Sequence, residues 1–200
     1  SDAGTPLISD PGYRLVQAAQ DAGHKVVPIP GACALIAALS ACGISTQHFV
    51  FEGFLPQKGA KRQQAVDALK TQPRTIVLYE SVHRIVNLID LLNESFGGDR
   101  VVTIARELTK TFETIHRAPL QEQQAWLQQD LNQQKGEFVV VIEGADSQPE
   151  TSKLTRILSV LLQEMPLKQA VVVAVKLTGA GRKELYQLAL DLKSSAEEAK

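Results

Sequence analysis

Three polar clusters directly follow strand-like apolar runs, which would place reactive groups along one edge of a sheet. Glu80-Ser81-Val82-His83-Arg84 follows Thr75–Tyr79, and Arg106-Glu107-Leu108-Thr109-Lys110 follows Val101–Ala105. Gln57-Lys58-Gly59-Ala60-Lys61-Arg62 follows Phe49–Phe54. Glu80 and Glu107 have two open roles. They are candidate proton acceptors, or ion-pair partners of Arg84, Arg106 and Lys110, which is the simpler account. His83 is a candidate base, with a structural hydrogen bond as its simpler role.

Two further stretches suit close approach of a ligand to backbone. The opening segment combines Gly4, Pro6 and Gly12 with Asp2, Thr5, Ser9 and Asp10, a composition that fits either a ligand loop or an elaborate turn. Pro30-Gly31-Ala32-Cys33-Ala34 opens a helix with small residues. Its N-terminal N–H groups could face a ligand, or the small residues could simply allow tight helix-on-sheet packing.

Other chemistries lack their residues. His24, His48, His83 and His116 are scattered without ligand spacing, so no metal is expected. Neither a Walker A lysine motif nor G-x-G-x-x-G nor G-x-S-x-G is present. Cys33 and Cys42 lack CxxC spacing and read as buried reduced thiols of a cytoplasmic protein. The 200 residues are 44% hydrophobic and 22% charged with a net charge of −1. This is a globular composition without a global nucleic-acid signature. No apolar run approaches the ~20 residues that span a bilayer.

The elements expected to position these residues alternate. Helices are predicted over Tyr13–Ala22, Ala32–Cys42, Gln63–Leu69, Val82–Ser95 (with Ser81 as N-cap) and Leu120–Gln134. Strands are predicted over Lys25–Ile29, Phe49–Phe54, Thr75–Tyr79, Val101–Ala105, Phe112–His116 and Glu137–Glu143. The unbroken Phe-Val-Val-Val-Ile run marks the last as buried on both faces. The alternation implies an α/β fold with a largely parallel sheet in two units dividing near Ser45–His48. A turn-rich opening with neither a preceding strand nor an initiator Met reads as a chain whose first domain is N-terminally truncated.

Past a polar linker at Gly144–Ser152 the pattern becomes wholly helical, with a Gly-containing turn between the last two helices. This is a helix-turn-helix-like arrangement. Residues 151–200 carry eight Lys/Arg against five Asp/Glu, so basic charge is concentrated there.

Six motifs in order are Ser-Asp-Ala-Gly-Thr-Pro-Leu-Ile-Ser-Asp-Pro-Gly (1–12), Pro-Gly-Ala-Cys-Ala (30–34), Phe-Glu-Gly-Phe-Leu-Pro (51–56), Tyr-Glu-Ser-Val-His-Arg (79–84), Ala-Arg-Glu-Leu-Thr-Lys (105–110) and Lys-Gly-Glu-Phe (135–138). Together they closely resemble the ribosomal RNA small-subunit methyltransferase I family of the tetrapyrrole methylase, or class III methyltransferase, superfamily. Pro-Leu-Lys-Gln-Ala (166–170), Leu-Thr-Gly (177–179) and Lys-Glu-Leu-Tyr (183–186) resemble that family's C-terminal segment.

The resemblance implies a two-domain class III fold: 1–46 as the remainder of the N-terminal α/β domain, 47–146 as the second, and 153–196 as a helical RNA-binding segment. It implies S-adenosylmethionine-dependent 2′-O-methylation of a cytidine in 16S ribosomal RNA by a cytoplasmic homodimer. A fragment lacking the first strand and glycine loop would be inactive. Carried over by position, Gly4, Thr5, Pro6, Ile8, Ala32, Cys33, Tyr79 and Ala105 would bind the cofactor, with Gly136–Phe138 a weaker candidate. Thr5 stands where the superfamily's Gly-Asp-Pro loop has an acid, which puts an acidic contact there in doubt. Glu107, then Glu80, would be the base, and Arg84, Arg106 and Lys110 would hold phosphate or ribose. Lys58, Lys61 and Arg62, with Lys168, Lys176, Arg182 and Lys183, would face RNA. The alternatives are a small-molecule methylase of the tetrapyrrole type and a non-catalytic RNA-binding protein.

Overall fold

The apolar run ending at Ile142 becomes the middle strand of a five-stranded sheet. In the computed structural model, which describes residues 4–145 and 150–198, the strands are β1 (Phe49–Phe54), β2 (Thr75–Ser81), β3 (Val101–Arg106), β4 (Thr114–Pro119) and β5 (Glu137–Ile142), in spatial order β1-β2-β5-β3-β4. The helices are α1 (Tyr13–Asp21), α2 (Ala34–Ala41), α3 (Ala60–Leu69), α4 (Ile85–Phe96), α5 (Leu120–Gln129), α6 (Glu150–Glu164), α7 (Leu167–Thr178) and α8 (Arg182–Glu198). The chain divides into two compact units at residues 145/146.

The expectation of a largely parallel sheet is corrected. Only β1 and β2 pair in parallel; β2–β5, β5–β3 and β3–β4 are antiparallel. Helix–strand alternation missed this for two reasons. The 107–113 connection is too short for a parallel crossover, so β4 turns back beside β3. The chain then crosses through α5 and inserts β5 between β2 and β3, opposite in direction to both.

Both sheet faces are covered, as the apolar β5 requires. On one face Leu78, Ile104, Val140 and Ile142 pack with Val66 of α3, Leu88 and Leu92 of α4, and Leu127 of α5. On the other, Val77, Ala105, Val139 and Val141 pack with Leu35, Ala38 and Leu39 of α2 and with Cys42 and Ile44. Residues on either side of 45–48 therefore share a core. A buried hydrogen bond fixes this second layer: Thr103 Oγ1, on β3, donates to the Cys42 carbonyl over 2.7 Å.

Several expected boundaries move for local reasons. Lys25–Ile29 is not a strand; Pro28 and Pro30 cannot donate to a ladder, and Val26, Val27 and Ile29 are exposed. Ser81 is not a helix cap, because it remains in β2 opposite Glu137; Arg84 occupies the N-cap position of α4. Pairing of Arg106 with Thr114 through Val101 with Pro119 shifts β4 past the expected 112–116. The helix expected over Leu120–Gln134 breaks at Asp130, whose carboxylate accepts the Asn132 N–H and starts a separate 3₁₀ turn. Cys42 is buried as expected, whereas Cys33 is only partly so.

The second unit is a three-helix cluster built on Leu154, Leu158, Val171, Ala174, Leu185 and Ala189. Pro166 sits at the N-cap of α7, where a missing N–H costs nothing. Gly179 closes α7 in the left-handed conformation at φ 73°. Of the expected 144–152 linker, residues 146–149 lie outside the described residues. No described helix is long and apolar enough to cross a membrane.

Thr103→Val removes the donor that holds Cys42 while preserving shape. It is expected to lower unfolding free energy by about 1–2 kcal/mol in urea titration, with Thr103→Ser near wild type. An unchanged midpoint for Thr103→Val would remove this bond from the account of how α2 is held.

Candidate functional site

The C-terminal ends of β2 and β3 share one cross-sheet row: Tyr79 lies opposite Val139, and Val139 opposite Ala105. Row position puts their side chains on the α2 face, where Tyr79 and Ala105 join the apolar cluster containing Cys33 and Leu108. Phe51 and Phe54 meet the Tyr79 ring edge-on, at centroid distances of 4.9 and 5.7 Å. The Tyr79 hydroxyl accepts the Leu35 N–H at the start of α2 over 3.1 Å. Burial raises the Tyr79 pKa against the lowering effect of the Leu35 N–H, with the Cys33 thiol adding to the rise. Tyr79 thus ties the end of β2 to the N-terminus of α2.

The opening loop reaches the same place from the other side. The Thr5 N–H donates to the Ala32 carbonyl over 2.8 Å, and Thr5 Oγ1 lies 3.0 Å from the same carbonyl and 3.3 Å from that of Gly31. A carboxylate at this place would confront two acceptors, which explains why a hydroxyl suits it. Gly4 has φ +72°, and a Cβ there would fall 3.1 Å from the Ala32 carbonyl oxygen. Leu7 and Ser9 also have positive φ, 73° and 62°, a strained arrangement concentrated in one loop. A Cβ on Gly53, at the irregularity in β1, would lie 3.4 Å from Ser9 Oγ. The structure therefore brings together Gly4, Thr5, Ala32, Cys33 and Tyr79. Pro6 and Ile8 are exposed on the same loop, and Ala105 is fully buried in the floor.

The charged candidates separate into two clusters. Glu80 is 2% exposed and both its oxygens are engaged. Oε2 pairs with Arg62 at 2.9 Å, while Oε1 pairs with Arg84 at 2.8 Å and accepts the Ser81 N–H at 2.8 Å. Arg62 also donates to the Pro56 carbonyl. This network clamps the Pro56–Arg62 connection and the start of α4 to β2. With both oxygens committed to buried partners, the geometry of Glu80 favours the ion-pair role over that of a base. Arg62, 3% exposed, cannot face RNA, whereas Lys58 and Lys61 are exposed. Arg84 is partly exposed, and His83 is exposed. Arg106, 6% exposed, donates through its two terminal nitrogens to the carbonyls of Lys135 and Phe112 and to Thr114 Oγ1, while its buried Nε has no partner among the described residues; these bonds favour a structural role over a phosphate contact.

Glu107 belongs to a brace at the rim. Lys110 Nζ lies 2.9 Å from both Glu107 Oε1 and Glu137 Oε2, and Glu107 Oε1 also accepts the Glu137 N–H at 3.0 Å. The Lys110 ammonium, then the Glu137 N–H, hold the Glu107 carboxyl below its ordinary range. Glu137 and then Glu107 hold Lys110 above its own. Glu107 and Thr109 have positive φ of 51° and 67°. Gly136 makes the brace possible: a Cβ there would lie 2.5–2.6 Å from Glu107 side-chain atoms. Gly136 and Glu137 were legible only as part of the Lys-Gly-Glu-Phe motif, and Leu108, which packs with the Cys33 and Tyr79 cluster, only as part of Ala-Arg-Glu-Leu-Thr-Lys.

Gly136→Ala is expected to destabilise the protein by about 1–3 kcal/mol, and Glu107→Gly in the same chain to recover part of the loss; additive losses in a denaturation cycle would mean the two residues do not meet. Glu107's lowered pKa makes its contribution complete above the ordinary carboxylate value and lost as pH falls through the lower folded value. Lys110's raised pKa makes its contribution complete below the ordinary lysine value and lost as pH rises through the higher folded one. The Glu137 amide resonance is therefore expected to be flat at neutral pH and to move at acid pH. A movement that persists in Glu107→Gln would assign it to another group.

The model of the Tetrapyrrole (Corrin/Porphyrin) Methylases matches residues 1–124, and that of the RsmI C-terminal HTH domain matches residues 148–193. Ribosomal RNA small subunit methyltransferase I of Pseudomonas aeruginosa is 50% identical over 195 residues, covering 95% of this chain and 69% of that protein. Its namesake from Escherichia coli O157:H7 is 47% identical over 193 residues, covering 96% of this chain and 68% of that protein. Among solved structures, the methyltransferase CobJ matches with a TM-score of 0.52 at 19% identity, over 71% of this chain and 62% of that one. Cobalt precorrin-4 methyltransferase, CbiF, matches at 0.52 and 16%, over 70% and 61%. The chain thus spans just over three fifths of those structures, and the likeness establishes the fold. On its matches to the family model and to relatives of such identity, the chain belongs to the ribosomal RNA small subunit methyltransferase I family of the tetrapyrrole methylases.

Proposed function

We propose that this protein uses S-adenosylmethionine to 2′-O-methylate a cytidine ribose of 16S ribosomal RNA, as a cytoplasmic homodimer. Residues 1–46 and 47–146 would supply the two walls of the cofactor site, and 153–196 an RNA-binding segment. The observation that carries the reading is the convergence of Gly4–Thr5, Ala32–Cys33 and Tyr79, in a chain of this family.

The residues present fit the cofactor. Gly4 leaves open the space a Cβ would fill beside the Ala32 carbonyl. Cys33 and Tyr79 offer a small apolar surface, and Pro6 and Ile8 lie exposed on the adjoining loop. When bound, S-adenosylmethionine supplies a methyl group on a sulfonium, already a strong electrophile. The protein's task is then mainly to orient the acceptor hydroxyl and exclude water. Thr5 ties the opening loop to the Ala32 segment within one wall, Tyr79 joins that wall to the other, and Leu108 closes the apolar floor. Exposed Lys58 and Lys61, with Lys168, Lys176, Arg182 and Lys183, would contact RNA phosphates. Arg84 keeps a partly exposed guanidinium at the sheet edge for the same use. Glu107, held as a carboxylate by Lys110, acts in this reading as a positioning residue for the 107–113 loop and not as the base; Lys110 is consumed by the brace.

Three measurements test the proposal with the protein expressed from its complete gene. Ribose-methylation mapping should show one cytidine 2′-O-methyl of 16S RNA lost on deletion and restored on complementation. An unchanged map would overturn the substrate, and failure of the protein to retain labelled S-adenosylmethionine would overturn the enzyme reading in favour of a non-catalytic RNA binder. Glu107→Gln should raise the RNA KM more than it lowers kcat and leave the acid limb of the kcat–pH profile in place. Loss of that limb would make Glu107 the base.

A further inference from the structure

Basic charge in the second unit surrounds a recess as well as a surface. Met165, Lys168, Gln169, Val172, Val173 and Arg182 line a groove of about 490 Å³ between α7 and the start of α8. Its floor is apolar, its rim carries two cations and one amide, and neither Lys168 nor Arg182 is paired with a carboxylate among the described residues. Val172 is 40% exposed there, although the opposite side of α7 is fully buried at Ala170, Val171 and Ala174. Glu184 is the carboxylate near the start of α8, its Oε2 3.9 Å from where a Gly181 Cβ would lie. The cationic character therefore rests on the two side chains and not on the helix terminus.

We propose that this groove takes a single unstacked RNA nucleotide, its base against Met165, Val172 and Val173 and its flanking phosphates on Lys168 and Arg182. The inference rests on the RNA reading above and adds what kind of RNA is held. The groove is shallow and open to solvent, so a base would lie against its apolar lining and stay open to solvent on its other side. A duplex presents its bases stacked and paired and calls for a protruding element, whereas a recess suits a splayed-out base. Gln169 offers both a donor and an acceptor to the base edge. The excess of Lys/Arg over Asp/Glu in 151–200, against an acid excess elsewhere, favours a polyanion over an acidic peptide.

The test uses the 200-residue chain and a short labelled RNA, single-stranded or annealed to its complement, with 2-aminopurine at successive positions. Binding should favour the single strand, and one 2-aminopurine position should change its emission. Lys168→Ala and Arg182→Ala, both at exposed sites, should each weaken binding by roughly three- to tenfold and lower the salt slope by about one. Val172→Asp should abolish the 2-aminopurine change. Helix content by circular dichroism should be retained in all three. Equal affinity for duplex and single strand, or RNA binding untouched by these variants, would overturn the groove while leaving RNA recognition standing. An acidic peptide that competes through Lys168 and Arg182 while RNA binds elsewhere would overturn it in favour of a protein partner. Failure of the wild-type chain to bind any RNA would overturn both.

Discussion

Phe138–Ile142 enters the middle of the sheet with fully or nearly fully buried side chains on both faces, and a strand of that kind is stable only between two apolar layers. On one side α3, α4 and α5 provide the layer. On the other it comes from α2, which precedes the whole sheet in sequence. Covering β5 with α2 is what carries Ala32 and Cys33 to the end of β2. The Tyr79 hydroxyl and the Thr5 side chain then lock the junction with hydrogen bonds to backbone groups. Packing, in this account, creates the candidate site before any ligand is considered.

Charge is used beside that junction chiefly to hold backbone in place. The Glu80 carboxylate sits between Arg62 and Arg84, so that removing Glu80 would strand the buried Arg62 charge. Arg106 directs its two terminal nitrogens at two carbonyls and a hydroxyl of the neighbouring turns. The Glu107–Lys110–Glu137 brace is more exposed and correspondingly weaker. It stabilises a loop whose backbone adopts left-handed conformations without glycine at Glu107 and Thr109. Such placement at the C-terminal ends of strands keeps the edge rigid, with Lys58 and Lys61 left in solvent.

Much of this was legible in the residues, and the failures have physical causes. The Phe-Val-Val-Val-Ile run correctly announces a doubly buried strand, because burial on both faces removes the polar alternation. Its direction is illegible, since apolar content is the same whichever way a strand runs. Val26, Val27 and Ile29 look like a strand by side-chain type, yet Pro28 and Pro30 remove the donors a ladder needs. Arg62 and Lys61 are equivalent by composition, and only the fold turns one toward Glu80 and the other outward. Gly136 is legible as a member of the Lys-Gly-Glu-Phe motif; that it must be glycine because Glu107 occupies the space of a side chain is visible only in three dimensions. The family motifs identified the cofactor candidates as a set, while the bonds that bring Thr5 to Ala32 and Tyr79 to Leu35 carry no sequence signature.

In the proposed function, Gly4–Ile8, the Ala32–Leu35 segment and Tyr79 form one cofactor-binding surface. Titrating isotopically labelled protein, expressed from the complete gene, with S-adenosylhomocysteine tests it most directly. Resonances of these three segments should move together on a single binding curve, while those of 154–193 stay in place. Saturable binding that leaves all three segments unmoved and perturbs a different part of the chain would contradict it.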